Sequence, residues 1–261
     1  MANSKYEYVR AFEREEMLLP SLMNAAASHV LRSIPDLFFA YGVSDEFSFV
    51  FERDTNLFER RRDKLVSTVV STFTAAYVAL FNEYMGGGRS GGNNNNKPHP
   101  PLDLSFLPTF DSRAILYPSV ATLRDYLSWR QVDCHINNLY NTTFWALVQQ
   151  GAMSEHEAEE FLKGTVASQK NEILWSRFAL NYNNEPEMYR KGSVLFREYR
   201  AKDQKAVHGL VEHGTELLSR TQQDKQKKAR AKAEIVIRHC DIIKDDFWRE
   251  RPWLLLARRD G

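Results

Sequence analysis

The stretch FFAYGVSDEFSFVFER, residues 38–53, decides the fold of this 261-residue chain. Two runs of aromatic and β-branched residues flank Gly42, Ser44, Asp45 and Glu46. In the second run Phe47, Phe49 and Phe51 alternate with Ser48 and Val50. That period of two lays the three rings on one face of a strand. With 38–41 ahead of the break, the pattern predicts a β-hairpin whose turn region spans 42–46. Asp45 and Glu46 are thereby set, side by side, between two segments that want burial.

Working outward, residues 5–18 mix charges and aromatics at roughly helical spacing. Pro20 should break that segment, and Ser21 should cap a helix running to about Ile34, ended by Pro35 and Asp36. A long helix is expected from about Thr55 to Tyr84. GGGRSGGNNNNKPHPP (86–101) has the composition of a flexible loop. SRAILYP (112–118) and SVLFREY (193–199) read as strands, and the pattern from Ser119 to about Phe178 is helical. From Arg200 to Lys232 nine Lys/Arg stand against four Asp/Glu, the signature of a solvated basic arm.

Composition narrows the classes. A formal net charge of +1 leaves only local patches for nucleic-acid contact. Cys134 and Cys240 lie far apart and outside any C-x-x-C pair, so neither a zinc site nor a disulfide scaffold is expected. The start has no apolar signal region, and no segment reads as a membrane span of about 18 apolar residues. The expectation is a soluble intracellular protein, cytoplasmic or nuclear.

The chemistry turns on the carboxylates. Strand neighbours point to opposite faces, so Asp45 and Glu46 do not chelate one ion as a pair. A metal on the hairpin would take one of them and a second carboxylate from an adjoining strand, the arrangement of two-metal phosphoryl transfer. The alternative is an acidic turn facing water. In FERRRDK, Arg61 and Lys64 stand at i and i+3, a face suited to a triphosphate or simply to solvent. In DYLSWRQVDCHINNLYNTTFWAL, His135 and Asn138 share the same spacing among apolar residues. Asn is a poor helix former, so this cluster marks either a recognition surface or a capped helix boundary with a satisfied histidine.

SDEFSFVF (44–51), TNLFERRRDK (55–64), YPS (117–119), HINNLYN (135–141), KNEIL (170–174), NYNNEPEMYRKGS (181–193) and IRHCDIIKDDFW (237–248) together resemble eukaryotic tRNA-histidine guanylyltransferase, in collinear order over most of the chain. The resemblance implies an α+β fold: a polymerase-palm-like antiparallel sheet packed by helices, followed by a helical C-terminal region. Residues 1–130 would form the palm-like domain, with a flexible loop over 86–108. Residues 131–261 would form the C-terminal region, with the basic arm at 200–232. The implied activity adds a guanosine at position −1 of tRNA-His. ATP activates the 5′-phosphate, and the 3′-hydroxyl of GTP then displaces AMP. Magnesium and a homotetramer are implied as well. Carried over by motif, Asp45 is a metal ligand and, with Glu46, catalytic. Ser44, Asp45, Arg61, Lys64, Lys170 and Asn181 bind nucleotide, and His135 and Asn138 contact tRNA or nucleotide.

One part of the family pattern is missing. Its core opens on a strand reading V-V-R-x-D-G-R, and no D-G-R occurs in this chain, which runs from KYEYVRAFEREEMLLP straight into SLMNAAASHV. Glu13, Glu15, Glu16 and Asp111 do not sit in the required context. Two readings therefore stand together: a guanylyltransferase impaired by loss of its first aspartate, and a non-catalytic tRNA- or partner-binding form of the same fold.

Overall fold

The computed structural model describes residues 18–85, 100–199 and 232–255, together with Lys228. The aromatic-rich start, most of the 86–101 run and most of the basic arm lie outside them. Two compact units emerge. Among the described residues, one comprises those within 18–117, 194–238 and 251–255, and the other 118–193 and 239–250. The expected boundary at 130 falls inside a single long helix, Val120–Gln149.

The first unit starts with α1 (Leu18–Ser33). Pro20 does not break it, because it sits in the first turn, where a missing N–H costs nothing. Leu22, Ala26 and Val30, with Met23, Ala27 and Leu31, recur every four residues and are buried. Then come β1 (Leu37–Val43), β2 (Glu46–Phe51) and α2 (Arg62–Met85). β3 (Ser193–Glu198) and β4 (Glu234–Arg238) complete a four-stranded sheet of order β2-β1-β3-β4. β1 pairs antiparallel with β2, as β3 does with β4. Phe47, Phe49 and Phe51 pack on the core of α1, β1 and α2 residues, as their alternation requires.

Three sequence expectations are corrected here, and one strand is added. The helix over 55–84 begins later: Leu57–Arg60 form a 3-10 turn in which Phe58, Glu59 and Arg60 have φ of 53°, 56° and 58°. Left-handed backbone costs about 1–2 kcal/mol per non-glycine residue, so this turn interrupts any helix. SRAILYP is not a strand; residues 111–116 are exposed irregular chain, because strand propensity is realised only on pairing, and no described strand lies beside them. β4 was not foreseen: EIVIR is five residues long, and its pairing with β3 is non-local. Finally, α2 is long and apolar enough, by length and composition alone, to cross a membrane. Its Val69, Phe73, Ala76 and Tyr77 stripe is buried in the unit's core, while only 22% of that apolar window is buried.

The second unit is helical. α3 (Val120–Gln149) opens on a capping box between Ser119 and Thr122, and α4 (Glu155–Leu162) on one between Ser154 and Glu157. α5 (Ala167–Phe178) ends at Ala179, which takes up the left-handed conformation of a helix C-cap. α6 (Glu187–Lys191) and α7 (Asp245–Glu250) follow. Leu139, Ala146, Leu174 and Tyr182 form one apolar cluster, and Phe144, Leu147, Ala158 and Leu162 another. Nearer the start of α3 lies a buried polar clamp that the sequence does not advertise. Gln131 donates to the carbonyls of Lys191 and Cys240 at 2.8 and 3.0 Å and accepts from the Ile242 amide at 2.8 Å. All of its hydrogen-bonding groups are thereby used in stitching three segments together.

Candidate active site

In the first unit the hairpin closes through a two-residue turn, Ser44 and Asp45, with Val43 paired to Glu46. Ser44 carries a φ of 53°, which the tight turn demands and a side chain resists. Gly42 is needed for a different reason. A Cβ there would lie 2.3 Å from the Phe47 ring that crosses it. The outcome is a tight hairpin tip with Ser44, Asp45 and Glu46 exposed. Asp45 therefore lies in the turn and not within a strand, and the expected alternation of faces applies to Glu46 alone. The Asp45 carboxylate contacts no described residue.

Arg61 and Lys64 are not on one helical face, as the spacing suggested. Arg61 has an extended backbone, with φ −65° and ψ 112°, and stands just before α2, while Lys64 lies in its first turn. Both remain exposed, at the end where helix amides and dipole favour anions. Arg61 donates to the Phe58 carbonyl at 3.1 Å and lies 3.6 Å from the exposed Glu59 carboxylate, a weak surface pair. Lys64 sits 6.0 Å from the Phe58 ring centroid. Arg60 is committed elsewhere, donating to the carbonyls of Arg53 and Thr55 at 3.0 Å each. The left-handed turn over 58–60 thus ties the exposed Arg60 guanidinium to backbone carbonyls and leaves Arg61 with one carbonyl and a weak surface pair.

In the second unit His135 and Asn138 do come together, in the middle of α3 and not at a helix boundary. Both meet Tyr182. Asn138 donates to its hydroxyl at 3.1 Å, the hydroxyl donates to the His135 carbonyl at 3.4 Å, and the two rings stand edge to face with centroids 5.3 Å apart. Partial burial, and then the Arg190 guanidinium, hold the His135 imidazole below its ordinary pKa. Arg190 donates to the Glu185 carbonyl at 2.7 Å. Burial raises the Glu185 carboxyl, with Arg190 opposing that rise.

Lys170 and Asn181 are engaged locally. Lys170 is buried; its ammonium donates to the Thr165 carbonyl at 2.7 Å and lies 5.7 Å from the Tyr140 ring centroid. Desolvation lowers its pKa. Asn181 is exposed and accepts from the Asn183 amide at 3.0 Å, forming the turn that delivers Tyr182. Tyr182 is the residue that motif reading missed: NYNN drew attention to its asparagines, while the tyrosine does the organising.

Magnesium fits these residues only in part. Asp45 offers one oxygen ligand, but no group of three His, Cys, Asp or Glu among the described residues is placed to hold an ion. Asp111, a possible substitute, is an exposed residue beside Arg113 at 3.7 Å.

Comparison with known proteins fits this geometry into a lineage. Residues 12–118 match the family described as tRNAHis guanylyltransferase, and 121–244 match the Thg1 C terminal domain. The tRNA(His) guanylyltransferase of Neurospora crassa is 49% identical over 294 aligned residues, covering 98% of this chain and 96% of the relative. That of Schizosaccharomyces pombe is 43% identical, covering 97% of this chain and 98% of the relative. The crystal structure of the Saccharomyces cerevisiae enzyme superimposes with a TM-score of 0.66 at 39% identity, covering 77% of this chain and 88% of that one. A bacterial Thg1-like protein in complex with ATP shares the fold at a TM-score of 0.61 and 17% identity, over 97% of this chain and 87% of that one. By these matches over nearly its whole length, the chain belongs to the tRNA(His) guanylyltransferase family of nucleotidyltransferases.

Proposed function

We propose that the chain acts on tRNA-His as a 5′-guanylyltransferase whose activity is limited by a missing catalytic strand. In the proposed reaction the 5′-phosphate of the tRNA attacks ATP, forming an adenylylated end and releasing pyrophosphate. The GTP 3′-hydroxyl then displaces AMP, and the new terminal triphosphate loses pyrophosphate. The observation that carries the reading is that one unit presents an exposed Asp45 at its hairpin tip and, beyond the other end of β2, exposed Arg61 and Lys64 at the start of α2. The start of α2 suits a polyphosphate, and the hairpin tip suits one side of a phosphoryl-transfer centre. The names of the relatives, and of the bacterial proteins solved with ATP and with GTP, agree with it.

Magnesium, a homotetrameric assembly and an intracellular site of action belong to the same proposal. Since one aspartate is the only ligand identified, no step is assigned to the metal. Limitation follows from two observations. The chain contains no D-G-R, and its alignment with the Neurospora relative spans 294 positions against 261 residues here, so the relative has residues without counterparts. A non-catalytic tRNA-binding role is the second reading, favoured by the same loss.

Single-turnover guanylylation of a tRNA-His transcript tests both. The chain is compared with a version carrying a V-V-R-x-D-G-R strand between Pro20 and Ser21. The repaired chain should be faster by orders of magnitude, because each 1.36 kcal/mol of lost charge stabilisation costs about tenfold. Equal rates would remove the proposed limitation. Tight tRNA binding with no product from either version would leave the binding role.

A further inference from the structure

We propose that the turn over Phe58–Arg60 is a two-state element, which refolds into a further turn of α2 when a polyphosphate binds and so adds Arg60 to Arg61 and Lys64. The inference rests on the guanylyltransferase reading of that site. Local sequence and structure disagree here. Leu57, Glu59, Arg60 and Arg61 are good helix formers, and Thr55 is of a type that caps helices. The backbone is nevertheless left-handed at three successive residues that carry side chains, with φ of 53°, 56° and 58°.

Side-chain hydrogen bonds hold the turn in that state. Arg60 Nη1 donates to the carbonyls of Arg53 and Thr55 at 3.0 Å each. The Thr55 hydroxyl donates to the Asp36 carboxylate and accepts from the Leu57 amide at 3.3 Å. Two charge-assisted bonds stabilise by about as much as three left-handed residues cost, so neither state is held by a wide margin. Phe58, Glu59 and Arg60 are all exposed, and refolding them opens no core.

In the helical state the amides of Arg62, Asp63 and Lys64 bond the carbonyls of residues 58–60. Arg60 then stands four residues before Lys64 and Arg61 three, so three cations share one helical face. In the left-handed state Arg60 is spent on backbone carbonyls, which leaves Arg61 and Lys64 for a ligand. A ligand shifts such an equilibrium only through its differential affinity, and a third cation supplies that difference for a polyphosphate. The exposed Glu59 carboxylate, 3.6 Å from Arg61, opposes an anion in this neighbourhood.

Glu59 variants of the full chain, titrated calorimetrically with inorganic tripolyphosphate, provide the test. Glu59→Gln removes the opposing charge and should bind at least as tightly as the wild-type chain. Glu59→Gly removes the same charge, but glycine favours the left-handed state and disfavours the helix. Its binding should therefore weaken about tenfold or more relative to Glu59→Gln. In the wild-type chain, NMR couplings that report φ at residues 58–60 should change from the left-handed to the helical sign on saturation. Glu59→Gly binding as tightly as Glu59→Gln, or unchanged couplings at 58–60 while the Lys64 amide resonance responds, would overturn the two-state turn and leave the guanylyltransferase reading in place. Failure of all three proteins to bind tripolyphosphate would overturn both.

Discussion

Asn138 donates to the buried hydroxyl of Tyr182 at 3.1 Å, so a residue whose motif suggests substrate contact spends its amide inside the protein. The same hydroxyl donates to the carbonyl of His135. Tyr182→Phe keeps the ring against the imidazole and removes only the oxygen. Losing one partner of a buried hydrogen bond costs about 1–3 kcal/mol. Urea unfolding should show that loss, and nucleotide affinity should fall if the 135–138 segment serves the site. Unchanged stability would mean that the hydroxyl holds nothing in place.

How much of this was legible depends on the range of the interaction. The hairpin was readable because Phe47, Phe49 and Phe51 encode their face locally, and α3 because its cap and apolar spacing lie within one segment. The failures are non-local or conformational. Nothing in TNLFERRRDK announces three left-handed residues, so Arg61 looked helical. SRAILYP has strand composition, but pairing depends on a neighbour elsewhere in the chain. The burial of Lys170 against Thr165 and Tyr140 is likewise unreadable locally, because it depends on how α5 docks.

Arg61 and Lys64 should bind phosphates and not the base. Charge-assisted hydrogen bonds contribute about 1.5–3 kcal/mol each. Arg61→Ala should therefore weaken GTP about ten- to a hundredfold, with guanosine hardly affected, as measured by titration calorimetry. Because its existing pair with Glu59 is exposed and weak, little stability should be lost with it. A parallel loss of guanosine binding would contradict the assignment.

His135 gives a pH dependence whose sign is fixed. Its folded pKa is lowered below the ordinary 6.5, first by burial and then by Arg190. Above 6.5 both states are neutral and the group contributes no slope. As pH falls below 6.5 the unfolded chain takes up a proton that the native chain resists, so stability declines until the folded pKa is reached. Since Glu185 titrates nearby with a raised pKa, the measurement is the difference between the wild-type chain and His135→Asn across pH 5 to 8. That difference should shrink on acidification. If it stays flat, the environment assigned to the imidazole is wrong.

Arg197 is the strongest test of how the first unit is held together. It sits in β3, 2% exposed, and its Nε donates to the Leu37 carbonyl at 3.0 Å across 160 residues of sequence. Its Nη2 donates to the carbonyls of Leu31 and Ile34, the latter at 3.3 Å, so one side chain caps the end of α1 and fastens the turn into β1. A cation here also meets the negative end of the helix. Alternation in SVLFREY gives no hint of this, since a charged residue in a strand reads as solvent-facing. Arg197→Met preserves length and removes every donor, leaving buried carbonyls without their partner. The loss should be about 3–5 kcal/mol, as for other broken buried charge networks. Arg197→Lys should fall between, because a single ammonium cannot span all three carbonyls. Denaturant midpoints for the three proteins provide the measurement. If Met proves as stable as Arg, the guanidinium does not organise this end of the sheet.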